Sequence, residues 1–301
     1  MENNRIIGQY TSHKKGPLLI VTAGVHGNEP SGVQALEAVF KKLQNEKPII
    51  NGAFVGILAN TNALKRGVRF IDEDLNRTWT DKNLKHKITD TSEKQEMFQL
   101  IEVLESLSET EFTDQYFMDC HTTSSDSLPY MSVQDVGQNL EWSQHFPLHI
   151  IKGFSDIVEG TIDGYFSSEG ITGFTLEAGQ HDSDTSKIYH EGMIWMLLEK
   201  ACNLQVNDLK PIPPAIETTV KSTDKQRTFK IIHRFGLNPK DDFKIQAGFE
   251  NFQPIHKGQH LATLNGSEIH STWDAFIFMP LYQAKGNDGF FVIKYTVDRL
   301  Y

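Results

Sequence analysis

Two short segments hold the residue types of a metal site. In "AGVHGNEPSG" an imidazole and a carboxylate, His26 and Glu29, stand three apart among glycines that follow an apolar run. In "FMDCHTTSSD" a second histidine, His121, ends another apolar run, with Asp119 two residues before it. Catalytic zinc takes three protein ligands from His, Glu and Asp and keeps a further position open for water. His26, Glu29 and His121 are therefore the candidate ligands. Side chains alternate along a strand, which puts Asp119 on the face of His121 and turns Cys120 the other way. A carboxylate so placed is a candidate to hold the outer nitrogen of a ligating histidine. The plainer reading is a loop histidine, a first-turn glutamate favoured by the helix dipole, and a histidine satisfied at a strand end.

Two further segments carry polar groups that such a site would use. In "RGVRFIDEDLNRTW", Arg66, Arg69 and Arg77 sit among Asp72, Glu73 and Asp74, with Asn76 beside Arg77. Guanidinium forks recognise carboxylates bidentately and stabilise oxyanions; the alternative is a solvated loop of mixed charge. In "GFTLEAGQH", Glu177 follows an apolar run, where a general base could face an open metal position. An exposed strand-end glutamate fits the same pattern, and the residues alone leave the two open.

Strands must present these loops. "GPLLIVTAGV" reads as a buried strand leading into the His26 loop. After Pro30, compatible with a first helical turn, Val33, Leu36, Phe40 and Leu43 fall at helical spacing. "GAFVGILANTNAL" reads as a strand running into a polar loop. Ser92 and Gln95 form a capping-box pattern ahead of Met97, Ile101, Leu104 and Leu107 at helical spacing. "QYFMDCHTT", "LHIIKG" and "GFTLEAG" read as strands and "SKIYHEGMIWMLLEKACNL" as a helix. Strands alternating with helices predict an α/β fold with a mixed, mostly parallel sheet flanked by helices, whose ligand site lies beyond the carboxyl ends of the strands. The texture changes at Pro211, Pro213 and Pro214, a stiff non-helical linker. Short β-like runs such as "TFKIIHRF", "HLATL" and "AFIFMP" follow. The expected division is a catalytic domain over 1–209 and a smaller β-rich domain over 210–301.

The composition bounds the function. With 29 basic and 39 acidic residues among 301, the net charge of −10 argues against non-specific nucleic-acid binding. Two cysteines, Cys120 and Cys202, make no disulfide framework and fit a reducing compartment. No window approaches the ~20 apolar residues of a membrane span, and the first residues lack a signal pattern. The expectation is a cytoplasmic protein with no membrane partner; the oligomeric state, including a homo-oligomer, is left open.

Taken together, "AGVHGNEPSG", "RFIDEDLNRTW", "DCHTTSSD" and "TLEAGQ", in that order, resemble the succinylglutamate desuccinylase/aspartoacylase family of the zinc carboxypeptidase superfamily. The resemblance spans about residues 18–200. It implies one zinc ion on His26, Glu29 and His121, with Glu177 as the acid/base. It implies that Asn76 and Arg77 hold the substrate carboxylate or polarise the scissile carbonyl, and that Arg69 lies close to that carbonyl. Tyr282 falls where aspartoacylases place a substrate-contacting tyrosine. One feature departs from the family: aspartoacylase has a further arginine before its catalytic glutamate, whereas "DGYFSSEGITGF" offers only Ser167 and Ser168. The implied activity is hydrolysis of a small N-acyl amino acid. A zinc exopeptidase, an ester hydrolase and a non-catalytic binding module are the rivals.

Overall fold

The computed structural model describes residues 5–108, 112–282 and 288–296. The strands are β1 (Ile6–Thr11), β2 (Leu18–Ala23), β3 (Ala53–Leu58), β4 (Gln115–Thr123), β5 (Tyr130–Val133), β6 (His149–Lys152) and β7 (Thr172–Gln180), then β8 (Thr228–Gly236), β9 (Phe243–Ile245), β10 (Pro254–Ile255), β11 (His260–Leu264), β12 (Ser267–His270), β13 (Ala275–Phe278) and β14 (Asp288–Tyr295). The helices are α1 (Ser31–Glu46), α2 (Thr61–Arg66), α3 (Asp81–His86), α4 (Ser92–Ser108), α5 (Asn139–Ser143), α6 (Ile162–Ser168), α7 (Asp184–Cys202) and α8 (Pro214–Lys221).

Among the described residues one sheet runs β1-β3-β2-β4-β7-β5-β6-β8-β14-β13-β10, and a second runs β12-β11-β9. The pairs β3–β2, β2–β4 and β4–β7 are parallel. Their carboxyl ends therefore point the same way, and the loops after β2, β3, β4 and β7 emerge at one rim. The apolar run of β2 is continuous because both faces are covered. Leu19, Val21 and Ala23 join the core with residues of α1 and α7, while Leu18 and Ile20 join a second core with Met97, Leu100 and Val103 of α4. Phe117 of β4 lies in the α4 core and Met118 and Cys120 in the other, so Asp119 and His121 share the α4 face.

The α/β expectation holds: a large mixed sheet with helices on its faces and a β-rich C-terminal part. Several local expectations need correcting. The polar loop after β3 contains α2, whose N-cap Asn60 accepts from the Ala63 N–H. The cap of α4 is Thr91 rather than Ser92: Thr91 Oγ1 accepts from Lys94 N–H at 3.4 Å, while the Ser92 N–H is taken by Asp72. The proline segment does not remain non-helical, because Pro214 opens α8, a position where its missing N–H costs nothing. Strand β1, which the sequence reading leaves out, covers β3 in antiparallel register. The later strands divide between the two sheets: β8 pairs with β6 in parallel and carries β14, β13 and β10 into the large sheet, while β9, β11 and β12 form the small one.

Candidate metal centre

The loop after β2 is built by two glycines. Gly24 has φ +72°, a conformation that L side chains rarely adopt. Gly27 lies so close to α2 that a Cβ would sit 2.1 Å from the carbonyl carbon of Ala63. The chain therefore turns tightly, and the Glu29 N–H closes back on the His26 carbonyl at 3.1 Å. One donor atom each from His26, Glu29 and His121 lies within 4.8 Å of the others, and all three residues are buried. His26 Nδ1 is 2.8 Å from Glu29 Oε1, and His121 Nδ1 is 3.4 Å from Glu29 Oε2. The Thr122 N–H donates to Glu29 Oε2 at 2.8 Å, fixing the carboxylate.

The second nitrogen of each ring meets a carboxylate. Asp119 Oδ2 is 2.8 Å from His121 Nε2, and its other oxygen accepts from Thr22 Oγ1 at 2.5 Å. Asp74 Oδ1 is 3.0 Å from His26 Nε2. Asp119 was named from the sequence without a partner. The role of Asp74 was missed, because it stands 48 residues from His26 in an acidic run that marks none of its members.

The arginine segment reaches the same place. Arg69 donates to Asp74 Oδ2 at 2.9 Å and lies 3.7 Å from Glu29 Oε1. Arg77 is exposed and donates to the Asn76 carbonyl at 2.6 Å. The Asn76 side-chain oxygen accepts the Ile162 N–H at 2.8 Å, tying the segment to the start of α6. Beneath it, the buried Glu93 carboxylate accepts the N–H groups of Ile71, Asp72 and Glu73 and the Asn60 amide. Arg66 is exposed on the last turn of α2. Ser167 accepts from Asn139 at 2.9 Å and Ser168 donates to the Tyr165 carbonyl at 2.8 Å, so both hydroxyls serve the packing around α6. The Tyr282 hydroxyl is engaged with the backbone of Gln246 and Phe249 in the C-terminal part.

Glu177 stands directly beside His121 in the parallel register of β4 and β7. Its Oε2 is shielded from solvent and has no hydrogen-bond partner. Burial pushes its carboxyl up to about 8, with Glu29 adding to the effect and His121 and Arg69 opposing it. Burial would raise Glu29 as well, yet the flanking His26 and His121 rings hold it well below the ordinary range. Burial alone would lower His121, but Asp119 and Glu29 carry it well above its usual value. Asp74 is likewise lowered against its burial by His26, Arg69 and Arg77. Four carboxylates around two imidazoles make this a place that favours positive charge. His181, which the sequence reading passed over, adds a third ring: Nδ1 is 2.7 Å from Thr122 Oγ1 and 4.0 Å from Glu29 Oε1.

Residues 15–191 match the family model described as the succinylglutamate desuccinylase/aspartoacylase catalytic domain. A succinylglutamate desuccinylase of Pseudomonas paraeruginosa is 31% identical over 106 residues, 35% of this chain and 30% of that protein. Another, from a Shewanella species (strain W3-18-1), is 23% identical over 272 residues, 85% of this chain and 75% of that protein. Among solved structures, a succinylglutamate desuccinylase/aspartoacylase of Rhodobacter sphaeroides superposes with a TM-score of 0.71 at 16% identity, covering 95% of this chain and 87% of that one. With the family model matching more than half of its residues, the chain belongs to the succinylglutamate desuccinylase/aspartoacylase family, a family of deacylases.

Proposed function

We propose that the protein is a zinc-dependent hydrolase that removes the acyl group from a small N-acyl amino acid. The observation that carries this reading is the convergence of His26, Glu29 and His121, with a carboxylate on the outer nitrogen of each ring. The donor set fits zinc: two imidazoles and one carboxylate, oriented by Asp74 and Asp119. Zinc held there supplies Lewis acidity, polarising a carbonyl oxygen and acidifying water. Glu177, facing His121 across the ladder, takes the proton of the attacking water and returns it to the leaving nitrogen. Arg69 donates to the oxyanion that develops at the scissile carbonyl. Arg77, with Asn76, holds the substrate carboxylate as a planar fork.

The division of labour we infer assigns residues 1–209 to catalysis and the β-rich 210–301 to the border of the site, where Tyr282 contacts substrate. No helix among the described residues is long and apolar enough to cross a membrane. Cys120 and Cys202 are both free and buried, which is in keeping with a cytoplasmic location.

The test is hydrolysis of a mixed panel by the zinc-loaded protein, read by mass spectrometry. The panel holds N-acetyl, N-succinyl and longer N-acyl amino acids, simple esters and dipeptides. The expected result is cleavage of an N-acyl amino acid that a chelator abolishes. Cleavage of dipeptides alone would replace the deacylase by an exopeptidase. Cleavage of esters alone would retain the metal chemistry and change the substrate.

A further inference from the structure

One residue on the site's face of the sheet has no part in the chemistry above. Tyr130 stands opposite Glu177 in the antiparallel β5–β7 pair and opposite His149 in the parallel β5–β6 pair. His121, Glu177, Tyr130 and His149 thus form a row across four adjacent strands, with their side chains on one face. The Tyr130 ring is fully buried and is met edge-on by Phe252 and Phe278, with centroids 5.6 and 4.9 Å away. A phenylalanine would serve that packing equally well. The hydroxyl is the anomaly: it is shielded from solvent and has no hydrogen-bond partner. The Oε2 atom of the facing Glu177 is in the same condition. Buried polar atoms nearly always find partners, and exceptions mark either strain or function. Among the several buried polar atoms without partners, these two are a donor and an acceptor on directly opposed residues. Burial, with the Glu177 and Glu29 carboxylates nearby, holds the phenol well above its ordinary range, so it keeps its proton at neutral pH.

We propose that Tyr130 is a positioning residue for Glu177, its hydroxyl donating to Glu177 Oε2 once substrate occupies the site. Catalytic hydrogen bonds are often long in a free enzyme and tighten in the complex. The bond fixes the carboxylate plane and leaves Oε1 as the oxygen that exchanges the proton with water and the leaving nitrogen. Tyr130 forms no covalent bond and gives up no proton. The aromatic residues Phe252 and Phe278 pack edge-on against its ring, so the C-terminal part also bears on the chemistry through Tyr130. The inference rests on the hydrolase reading given above.

The experiment compares wild type, Tyr130→Phe and Tyr130→Leu as zinc-loaded full-length proteins. The substrate is the N-acyl amino acid that wild type cleaves fastest in the panel. Tyr130→Phe is expected to lower kcat by about tenfold or more, the order of a lost acid–base alignment, with KM and zinc content unchanged. It should also melt at or above the wild-type temperature in the metal-free, substrate-free state, because the hydroxyl has no partner to lose there. Tyr130→Leu should lose the same catalytic factor and, in addition, melt lower. An unchanged kcat for Tyr130→Phe, a raised KM with unchanged kcat, or a clearly lowered melting temperature would overturn the inference while leaving the hydrolase reading intact. A wild type that cleaves nothing in the panel would instead remove the reading on which it rests.

Discussion

His26 and His121 are each held at both ring nitrogens, by Glu29 on one side and by Asp74 or Asp119 on the other. This double tether orients the two rings and accounts for the opposite shifts of Glu29 and His121. Outer carboxylates of this kind raise ligand basicity, and their removal typically costs ~10–100-fold in metal affinity. Asp74→Asn and Asp119→Asn are therefore expected to weaken zinc binding by roughly that factor, measured by competition with a chromophoric chelator, while His26→Ala and His121→Ala lose the ion. The residues nearest the proposed ion were legible in the sequence because each sits in a short segment with a distinct pattern. Asp74, His181 and Tyr130 were not, since each becomes part of the site only through a contact between distant segments.

The elements do two different jobs. Parallel strands β2, β4 and β7 aim three loops at one rim, and this much follows from apolar runs that end in polar motifs. The arginine segment is different: its position depends on Glu93, which lies on the polar side of a helix read only for its apolar stripe. That single carboxylate gathers three backbone N–H groups and the Asn60 amide. Glu93→Ala would leave these partly shielded N–H groups and the buried Asn60 amide without their acceptor. We expect a loss of roughly 2–4 kcal/mol in stability, read from denaturant midpoints. We also expect a fall in kcat/KM as Arg69 and Arg77 lose their register, with zinc content unchanged. Equal stability would show that the segment is held by other contacts. The capping error at α4 has a related origin: Thr91 and Ser92 are equivalent as local signals, and the choice falls to Asp72, which occupies the Ser92 N–H.

At the scale of the whole molecule, the C-terminal strands β8, β14, β13 and β10 continue the sheet that carries the site. A change in sequence texture reports a change in strand length and turn frequency; it does not report which strands pair, so the β6–β8 ladder could not be read in advance. His149 lies at this seam, and its Nδ1 accepts the Arg227 N–H at 3.2 Å. Burial, with the nearby Arg227 charge, pushes its imidazole down to about 4. The unfolded chain, whose histidines titrate near ~6.5, then binds more protons than the native one between the two values. Stability falls as pH drops through about 6.5 and levels off below about 4. After allowance for solvent screening the effect is on the order of 1 kcal/mol. His149→Gln, which keeps an acceptor, should flatten that part of the profile of melting temperature against pH; an unchanged slope would assign the acid sensitivity to other groups. The central claim, that Glu177 is the proton carrier beside a zinc ion on His26, Glu29 and His121, is tested most directly by the hydrolysis rate of Glu177→Gln at matched zinc content. The account predicts one zinc per chain and a rate reduced by ~10²–10⁴-fold. Near-normal hydrolysis, or loss of the zinc with the substitution, would contradict it.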